Sequence, residues 1–143
     1  MYHYTECGLN NVWLNNGFNR INVDGETAVS ISDADQLHEA IGRALANKPY
    51  LTGAELRFLR KEIGLSQKRL ADLLGTTEQT VSLWERRGRI PKGYDRLVRL
   101  LFLEKLDGNI KIQEIINRLI ELDNHQTEKL VFSDTSSGWK KAA

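Results

Sequence analysis

Residues 64–88 constrain the fold of this chain more than any other segment. Their sequence, GLSQKRLADLLGTTEQTVSLWERRG, places Ser66 and Thr77 directly before two runs of helix-forming residues. Hydroxyl side chains at such positions cap the N-termini of helices. Gly75 falls between the two runs, where a helix can end in a left-handed residue and the chain can reverse. The segment therefore predicts two short helices joined by a tight turn.

The predicted helices have apolar faces that fit against each other. Leu70, Ala71 and Leu74 recur at helical spacing in the first helix, and Val81 and Trp84 point inward from the second. Two helices that cross at a steep angle need a small side chain at the contact, and Ala71 supplies it. The outward positions of the second helix are Glu78, Gln79, Ser82, Leu83 and Arg86.

The run SQKRLADLLGTTEQTVSLWE resembles the helix-turn-helix of the Cro/cI-like (XRE-type) bacterial transcriptional regulators. The resemblance extends from Leu51 to Asp107, with Thr52 at the start of the first helix and IPKGYDRLVRLLFLEKL as the closing helices. It implies a helical domain that binds double-stranded DNA, with the second helix of the motif in the major groove. The core residues that it implies for the first helix are Leu56, Leu59 and Ile63.

The same resemblance assigns the contacts with DNA to particular residues. The residues expected to read base edges are Glu78, Gln79, Ser82 and Leu83. The residues expected to contact phosphates are Gln67, Thr77, Thr80, Arg86, Arg87, Arg89 and Lys92. Gln pairs with adenine, Glu accepts from cytosine, and Leu packs on the thymine methyl group.

Two residues near the end of the second helix need separate interpretations. In relatives, a glycine commonly follows the glutamate after one intervening residue. Here two residues, Arg86 and Arg87, separate Glu85 from Gly88, so the direction in which the Arg87 side chain points stays open. Glu85 lies on the inner flank, and we expect it to form an ion pair with Arg60 or Arg99 rather than to contact DNA.

The charge of the chain is concentrated in the motif. The whole sequence of 143 residues carries a net charge of only +1. Residues 1–50 hold three basic and six acidic side chains, residues 51–105 hold twelve and seven, and residues 106–143 hold five and six. The net charges of these segments are therefore −3, +5 and −1. A basic unit between acidic ones predicts salt-dependent binding to a duplex.

Residues 1–48 form the first of three predicted domains, and their pattern indicates a small antiparallel meander followed by a helix. Asn16-Gly17 and Asp24-Gly25 separate the runs VWLN, FNRINV and TAVSIS, and both dipeptides are typical of hairpin turns. Asp33 or Asp35 can cap the helix that follows, which should end near Pro49. Its apolar stripe consists of Leu37, Ile41 and Leu45.

The arrangement of CGLNNVWLNNG before SISDADQLHEAI resembles the N-terminal unit of antitoxins in which a zinc-binding domain precedes a Cro/cI-like domain. Those relatives use paired CxxC motifs, whereas Cys7 is the one cysteine here, so no metal is carried over. We expect Cys7 to be a small packed side chain beside a turn in preference to a ligand paired with His3.

Residues 49–108 are the predicted DNA-binding domain, and residues 109–143 are a predicted dimerisation segment. The run NIKIQEIINRLIEL indicates a helix with one apolar face, and LVFSD and GWKKAA predict a strand and a short tail. Trp139 is expected to be docked. The residues of the apolar helical face are Ile112, Ile115, Ile116, Leu119 and Ile120.

These patterns exclude several classes of function. The sequence contains no glycine-rich phosphate loop, nucleophile elbow, CxxC pair or HExxH motif, so we expect neither catalysis nor a cofactor. It has no apolar run of about 18 residues and no basic and apolar N-terminal leader, which predicts a cytoplasmic protein. The predicted fold class is mainly α with a small β portion, with the helical domain flanked by the meander and the C-terminal helix and strand.

The sequence thus predicts a homodimeric regulator that binds a pseudo-palindromic operator, most simply as a repressor. The alternative is an antitoxin that binds its toxin and represses its own operon. The two hypotheses differ in what the flanking regions bind, and a neighbouring gene for a small basic protein would favour the second. A ligand-sensing repressor is less favoured, because neither flank indicates a polar pocket.

Overall fold

The computed structural model describes residues 1–108, 111–122 and 132–141. Within them the chain is mainly helical with three small antiparallel strand pairs, so the predicted fold class is confirmed. No described helix is long and apolar enough to cross a membrane. The elements are β1 (Tyr2–His3), β2 (Trp13–Leu14), β3 (Phe18–Val23), β4 (Glu26–Ile31), α1 (Ala34–Ala46), α2 (Gly53–Ile63), α3 (Gln67–Leu74), α4 (Glu78–Arg87), α5 (Lys92–Leu106), α6 (Lys111–Leu122), β5 (Phe132–Thr135) and β6 (Gly138–Lys141).

The N-terminal strands form two separate pairs, and the predicted three-stranded meander is wrong. The Asp24-Gly25 turn does join β3 to β4, with φ values of 51° and 83° that suit a type I′ hairpin. Asn16-Gly17 does not join two paired strands, because β2 pairs with β1, which the sequence did not reveal as a strand. Leu14 is buried while Trp13 faces out, so β2 is held against the core instead of extending β3.

Helix α1 lies against α2 and α5 with its predicted stripe inward. Asp33 is the N-cap, and its carboxylate accepts a hydrogen bond from the Gln36 N–H at 3.2 Å. Ile41 and Leu45 are buried, as predicted. A Cβ at Gly42 would lie 2.0 Å from the Phe102 ring, so glycine lets α1 and α5 approach closely.

A hydrogen-bonded chain joins the N-terminal segment to α1 and α2. The Tyr4 hydroxyl lies 2.8 Å from His38 Nε2, and His38 Nδ1 lies 2.8 Å from Glu62 Oε1. Burial raises the pKa of the Tyr4 hydroxyl above its ordinary value. These contacts fix the first strand pair to the helical part of the molecule.

The connection between α1 and α2 is held by charged groups. Thr52 and Glu55 form a capping box at the start of α2, and the Glu55 carboxylate also accepts from Lys48 Nζ at 2.7 Å. The Leu51 N–H donates to Asp95 Oδ2 of α5 at 2.6 Å. The start of α2 is therefore fixed on two sides.

One apolar core connects the N-terminal strands to the first five helices. Leu56, Leu59, Leu70, Val81 and Val98 are fully buried in it, which confirms the predicted core positions of α2 and the motif helices. Its members are Tyr4, Leu9, Leu14, Ile41, Leu45, Ala46, Leu51, Leu56, Phe58, Leu59, Ile63, Leu70, Ala71, Leu74, Val81, Trp84, Val98, Leu101 and Phe102.

The closing segment and the C-terminal part differ from prediction in three respects. The closing run is one continuous helix, α5, since no helix breaker follows its first turn. The terminal GWKK is a strand of the β5–β6 hairpin and not a tail. Trp139 is 72% exposed, so the prediction that it is docked is wrong, because the hairpin pairs only with itself among the described residues.

Helix α6 packs against α3 and α5. Ile116 contacts the core, and the Arg69 guanidinium of α3 donates to Asn117 Oδ1. The side chains of Ile112, Ile115 and Leu119 lie outside the described part of the structure. Residues 109 and 110, Leu130 and Val131 of LVFSD, and the last two alanines also lie outside it.

Candidate nucleic-acid interface

Helices α3 and α4 form the predicted pair, and each begins and ends where the sequence indicated. Ser66 Oγ accepts from the Arg69 N–H at 3.0 Å, and Thr77 Oγ1 accepts from the Thr80 N–H at 3.2 Å. Gly75 ends α3 at a φ of 73°, a conformation that glycine adopts without steric cost. The predicted caps are confirmed.

Helix α4 is held by close packing on α2 and α3. Val81 and Trp84 of α4 are buried, and so is Ala71 of α3, as predicted. A Cβ at Gly53 would lie 2.4 Å from the backbone oxygen of Glu85. The N-terminus of α2 therefore contacts the backbone of α4 directly, and a larger residue there would push the two helices apart.

A buried ion pair fixes the angle of α4 further. Arg60 Nε donates to Glu85 Oε2 at 2.7 Å, and Arg60 Nη2 donates to Glu85 Oε1 at 3.1 Å. Gln67 Nε2 donates to the same Glu85 oxygen at 3.2 Å, so one carboxylate links α2, α3 and α4. Of the two partners predicted for Glu85, Arg60 is the one that pairs with it, while Arg99 pairs with Asp95 at 2.7 Å.

The opposite face of α4 is open to solvent. Leu83 is one of the exposed large apolar side chains, and the Thr77 and Thr80 hydroxyls lie 2.8 Å apart at the start of the helix. Of the predicted site residues, the exposed ones are Thr77, Glu78, Gln79, Leu83, Arg86, Arg87, Arg89 and Lys92. The half-buried ones are Gln67, Thr80 and Ser82.

Basic residues surround the end of α4. The helix continues through Arg87 and ends at Gly88, whose φ is 71°. Arg89 follows in the connection and Lys92 begins α5. Arg86 Nε donates to the Ser82 carbonyl oxygen at 3.4 Å and so lies along α4.

A concave cleft of about 530 Å³ lies between α2, the start of α3 and α4. It brings together four predicted site residues: Gln67, Glu78, Ser82 and Arg86. Arg57 and Ser66 also line it, and the sequence interpretation placed neither among the candidate site residues. The spacing of Arg57 and Arg60 on α2 places them on one side of that helix and could have indicated Arg57.

Neither Cys7 nor His3 belongs to a metal cluster in the described residues. The His3 ring stacks on Trp13 at 4.0 Å, and its Nε2 lies 2.7 Å from the Asn10 carbonyl oxygen. The Cys7 thiol lies 3.7 Å from the Tyr4 carbonyl oxygen. Across the ranges that the structure describes, no three His, Cys, Asp or Glu side chains gather as metal ligands do.

These features define a helix-turn-helix domain of the class that binds double-stranded DNA through an exposed second helix. Residues 56–100 match the protein family described as Helix-turn-helix, and this part of the chain is a Cro/cI-like (XRE-type) DNA-binding domain. Neither a curated protein nor a solved structure matches the chain.

Proposed function

We propose that the protein is a sequence-specific transcriptional regulator that represses genes by occupying an operator as a homodimer. The observation that carries this proposal is the fixed orientation of α4. Buried Val81 and Trp84 and the Arg60–Glu85 pair hold one face, while Glu78, Gln79 and Leu83 remain exposed on the other. A helix held in this way can enter the major groove without paying to become ordered on binding.

The exposed residues at the start of α4 have side chains suited to reading bases. Gln79 can donate to and accept from adenine, Glu78 can accept from the cytosine amino group, and Leu83 can contact the thymine methyl group. Ser82 is half-buried beside the cleft and can reach a base edge with its hydroxyl. Together these residues give the helix its sequence preference.

A second group of residues is suited to holding the phosphates on both sides of the groove. Thr77 and Thr80 lie at the N-terminus of α4, where the helix dipole favours an anion. The amide of Gln67 is oriented by Glu85, which leaves its second N–H free of that contact. The basic residues at the end of α4 and beyond it are Arg86, Arg87, Arg89 and Lys92. These contacts fix position and carry no sequence information.

The homodimer follows from how few bases one helix can read. Two recognition helices one helical turn apart, about 34–36 Å, would read a pseudo-palindromic site. We assign the contacts between copies to residues 109–143 together with the N-terminal strands of domain 1–48, leaving 49–108 to bind DNA. In the β5–β6 hairpin, Phe132 and Trp139 lie on one face and are 56% and 72% exposed. Such a face is suited to an interface between proteins.

A reporter gene behind the promoter of this protein tests the proposal. The wild-type chain should lower expression, because the bound dimer blocks RNA polymerase. Gln79→Ala should relieve repression, whereas Gln36→Ala, the same change at an exposed position of α1, should not. Repression that withstands Gln79→Ala would count against base reading by α4, and a monomer by light scattering at micromolar concentration would count against the dimer.

The exposed face of the β5–β6 hairpin also favours a second candidate, an antitoxin that binds a toxin with its C-terminal part. The chain would then copurify with the product of an adjacent gene, and Trp139→Ala would weaken that complex. Operator binding would remain a function of α4 in both cases. If the adjacent product does not bind, the antitoxin proposal fails.

A further inference from the structure

The cleft between α2, the start of α3 and α4 contains a basic side chain that the proposed function does not use. Arg57 of α2 lines this cleft and is exposed, one turn before Arg60. Among the described residues Arg57 belongs to no ion pair, whereas Arg60 is paired with Glu85. The Arg57 guanidinium is therefore available to a ligand that reaches the cleft.

The charge of the cleft favours an anionic ligand. Its charged lining residues are Arg57, Arg60, Glu78, Glu85 and Arg86. The Glu85 carboxylate is already bound by Arg60, so these two charges offset each other. This leaves Arg57 and Arg86 against Glu78, two positive charges against one negative charge.

The cleft lies on one flank of α4. Glu78 and Ser82 are the α4 residues at the start of that flank. Helical spacing places both between the face of Gln79, which is exposed, and the face of Val81, which is buried. A duplex that receives the exposed face in its major groove therefore has the cleft at the side of the groove.

The width of the groove determines which part of the duplex Arg57 can reach. The major groove is about 12 Å wide, and an α-helix with its side chains is about 10–12 Å across, so a groove that contains α4 admits no second helix. Helix α2 packs directly against α4, where a Cβ at Gly53 would lie 2.4 Å from the Glu85 backbone oxygen. A side chain that extends from α2 past the flank of α4 therefore meets the edge of the groove, which is formed by the sugar–phosphate chain.

We infer that Arg57 binds a phosphate of the DNA backbone at the edge of the groove that α4 enters. The inference adds a contact to the operator complex proposed above and rests on that proposal. The planar guanidinium can donate two parallel hydrogen bonds to the oxygens of one phosphate. Gln67 lines the same cleft, so one sugar–phosphate chain is held from α2 and from α3.

The substitution Arg57→Ala tests this contact in the full chain. We expect weaker binding to the upstream and the scrambled duplex alike, by roughly threefold to tenfold, because a phosphate contact is independent of sequence. The slope of log K against log salt should fall by about one on both duplexes. Thermal unfolding should be unchanged or shifted upward, since alanine is a good helix former at an exposed position.

Two further variants control for charge and position. Arg57→Lys keeps the positive charge and should retain the wild-type salt slope. Lys61→Ala removes a charge from an exposed residue one turn later on α2 that does not line the cleft, and it should also retain the slope. An equal fall of the slope in Lys61→Ala would indicate a general effect of charge on α2 and would overturn the assignment to the cleft.

Ethylation of single phosphates in the upstream duplex gives an independent readout. At the phosphate that Arg57 binds, ethylation should weaken the wild-type complex and leave the Arg57→Ala complex unchanged. At the other contacted phosphates it should weaken both complexes alike. The position at which the two patterns differ identifies the phosphate.

The outcomes separate this inference from the proposed function. If the wild-type chain prefers the upstream DNA while Arg57→Ala keeps its salt slope and ethylation pattern, the inference is overturned and the proposed function stands. A loss confined to the upstream duplex would make Arg57 a base contact and would also overturn it. Equal, weak binding of the wild-type chain to both duplexes would refute the proposed function, and the salt slope of Arg57→Ala would still decide the phosphate contact.

Discussion

Gln79 is the residue at which base reading by α4 can be tested most simply. It is exposed, and its amide can pair with adenine but has no comparable complement on other bases. We predict that Gln79→Ala loses about 1–3 kcal/mol of binding free energy on the preferred duplex and none on unrelated duplexes. Competition titrations on selected and scrambled duplexes measure the difference. Equal losses on both would remove Gln79 from the reading set.

Arg87 and Lys92 should act on all duplexes alike. Both side chains are exposed, Arg87 at the end of α4 and Lys92 at the start of α5, and the proposed function assigns them to phosphates and not to bases. We predict that Arg87→Ala or Lys92→Ala weakens binding to every sequence and lowers the slope of log K against log salt by about one. Titrations at several salt concentrations give the slope.

Arg43→Ala provides the control for these two variants. It removes the same charge from α1, where Arg43 pairs with Asp107 on an exposed surface. The salt slope should be unchanged in this variant, because a distant charge releases no counterions from the DNA. An unaltered slope in Arg87→Ala would show that this side chain does not lie on the DNA backbone.

At the scale of elements, the contact between α2 and α4 determines how the recognition helix is presented. We predict that Gly53→Ala destabilises the fold by about 1–3 kcal/mol, because its Cβ would meet the backbone of α4. Thermal unfolding should show a melting temperature several degrees lower, at about 2–4 °C per kcal/mol.

Gly93→Ala is the matched substitution in the first turn of α5. A Cβ at Gly93 meets nothing within 4 Å, so this change should leave stability unaltered or raise it by up to about 1 kcal/mol. If Gly53→Ala and Gly93→Ala had the same free energy of unfolding, α2 and α4 could move apart without loss of stability. The close α2–α4 contact would then not determine the position of α4.

Elements with local determinants could be predicted from the sequence, and those with distant partners could not. The caps at Ser66 and Thr77 depend on residues within one turn, and both were predicted. The strand at Trp13–Leu14 was predicted, but its pairing was wrong because its partner, β1, lies about ten residues earlier and has no strand pattern of its own. The exposure of Trp139 depends on what covers the hairpin, which no local pattern encodes.

In the candidate site too, features with local determinants could be predicted and those that depend on distant elements could not. The inward and outward positions of α4 were predicted from helical spacing, and the buried Val81 and Trp84 confirm it. Arg57 was missed because it reaches the cleft from α2, a helix outside the motif. Which residues touch DNA stays a prediction.

At the scale of the whole molecule, one core joins the N-terminal strands to the DNA-binding helices, so the flanking unit and the motif are held together. The basic excess of residues 51–105 lies between segments of negative net charge. This distribution attracts a duplex to one part of the surface and makes adhesion of the rest unfavourable.

The central claim is that this chain recognises a particular DNA sequence. Titration of the purified protein with the DNA upstream of its own gene, and with a scrambled duplex, at two salt concentrations tests it most directly. We predict a preference of at least about a thousandfold for the upstream DNA, with affinity falling steeply as salt rises. Equal, weak binding to both duplexes would contradict the claim.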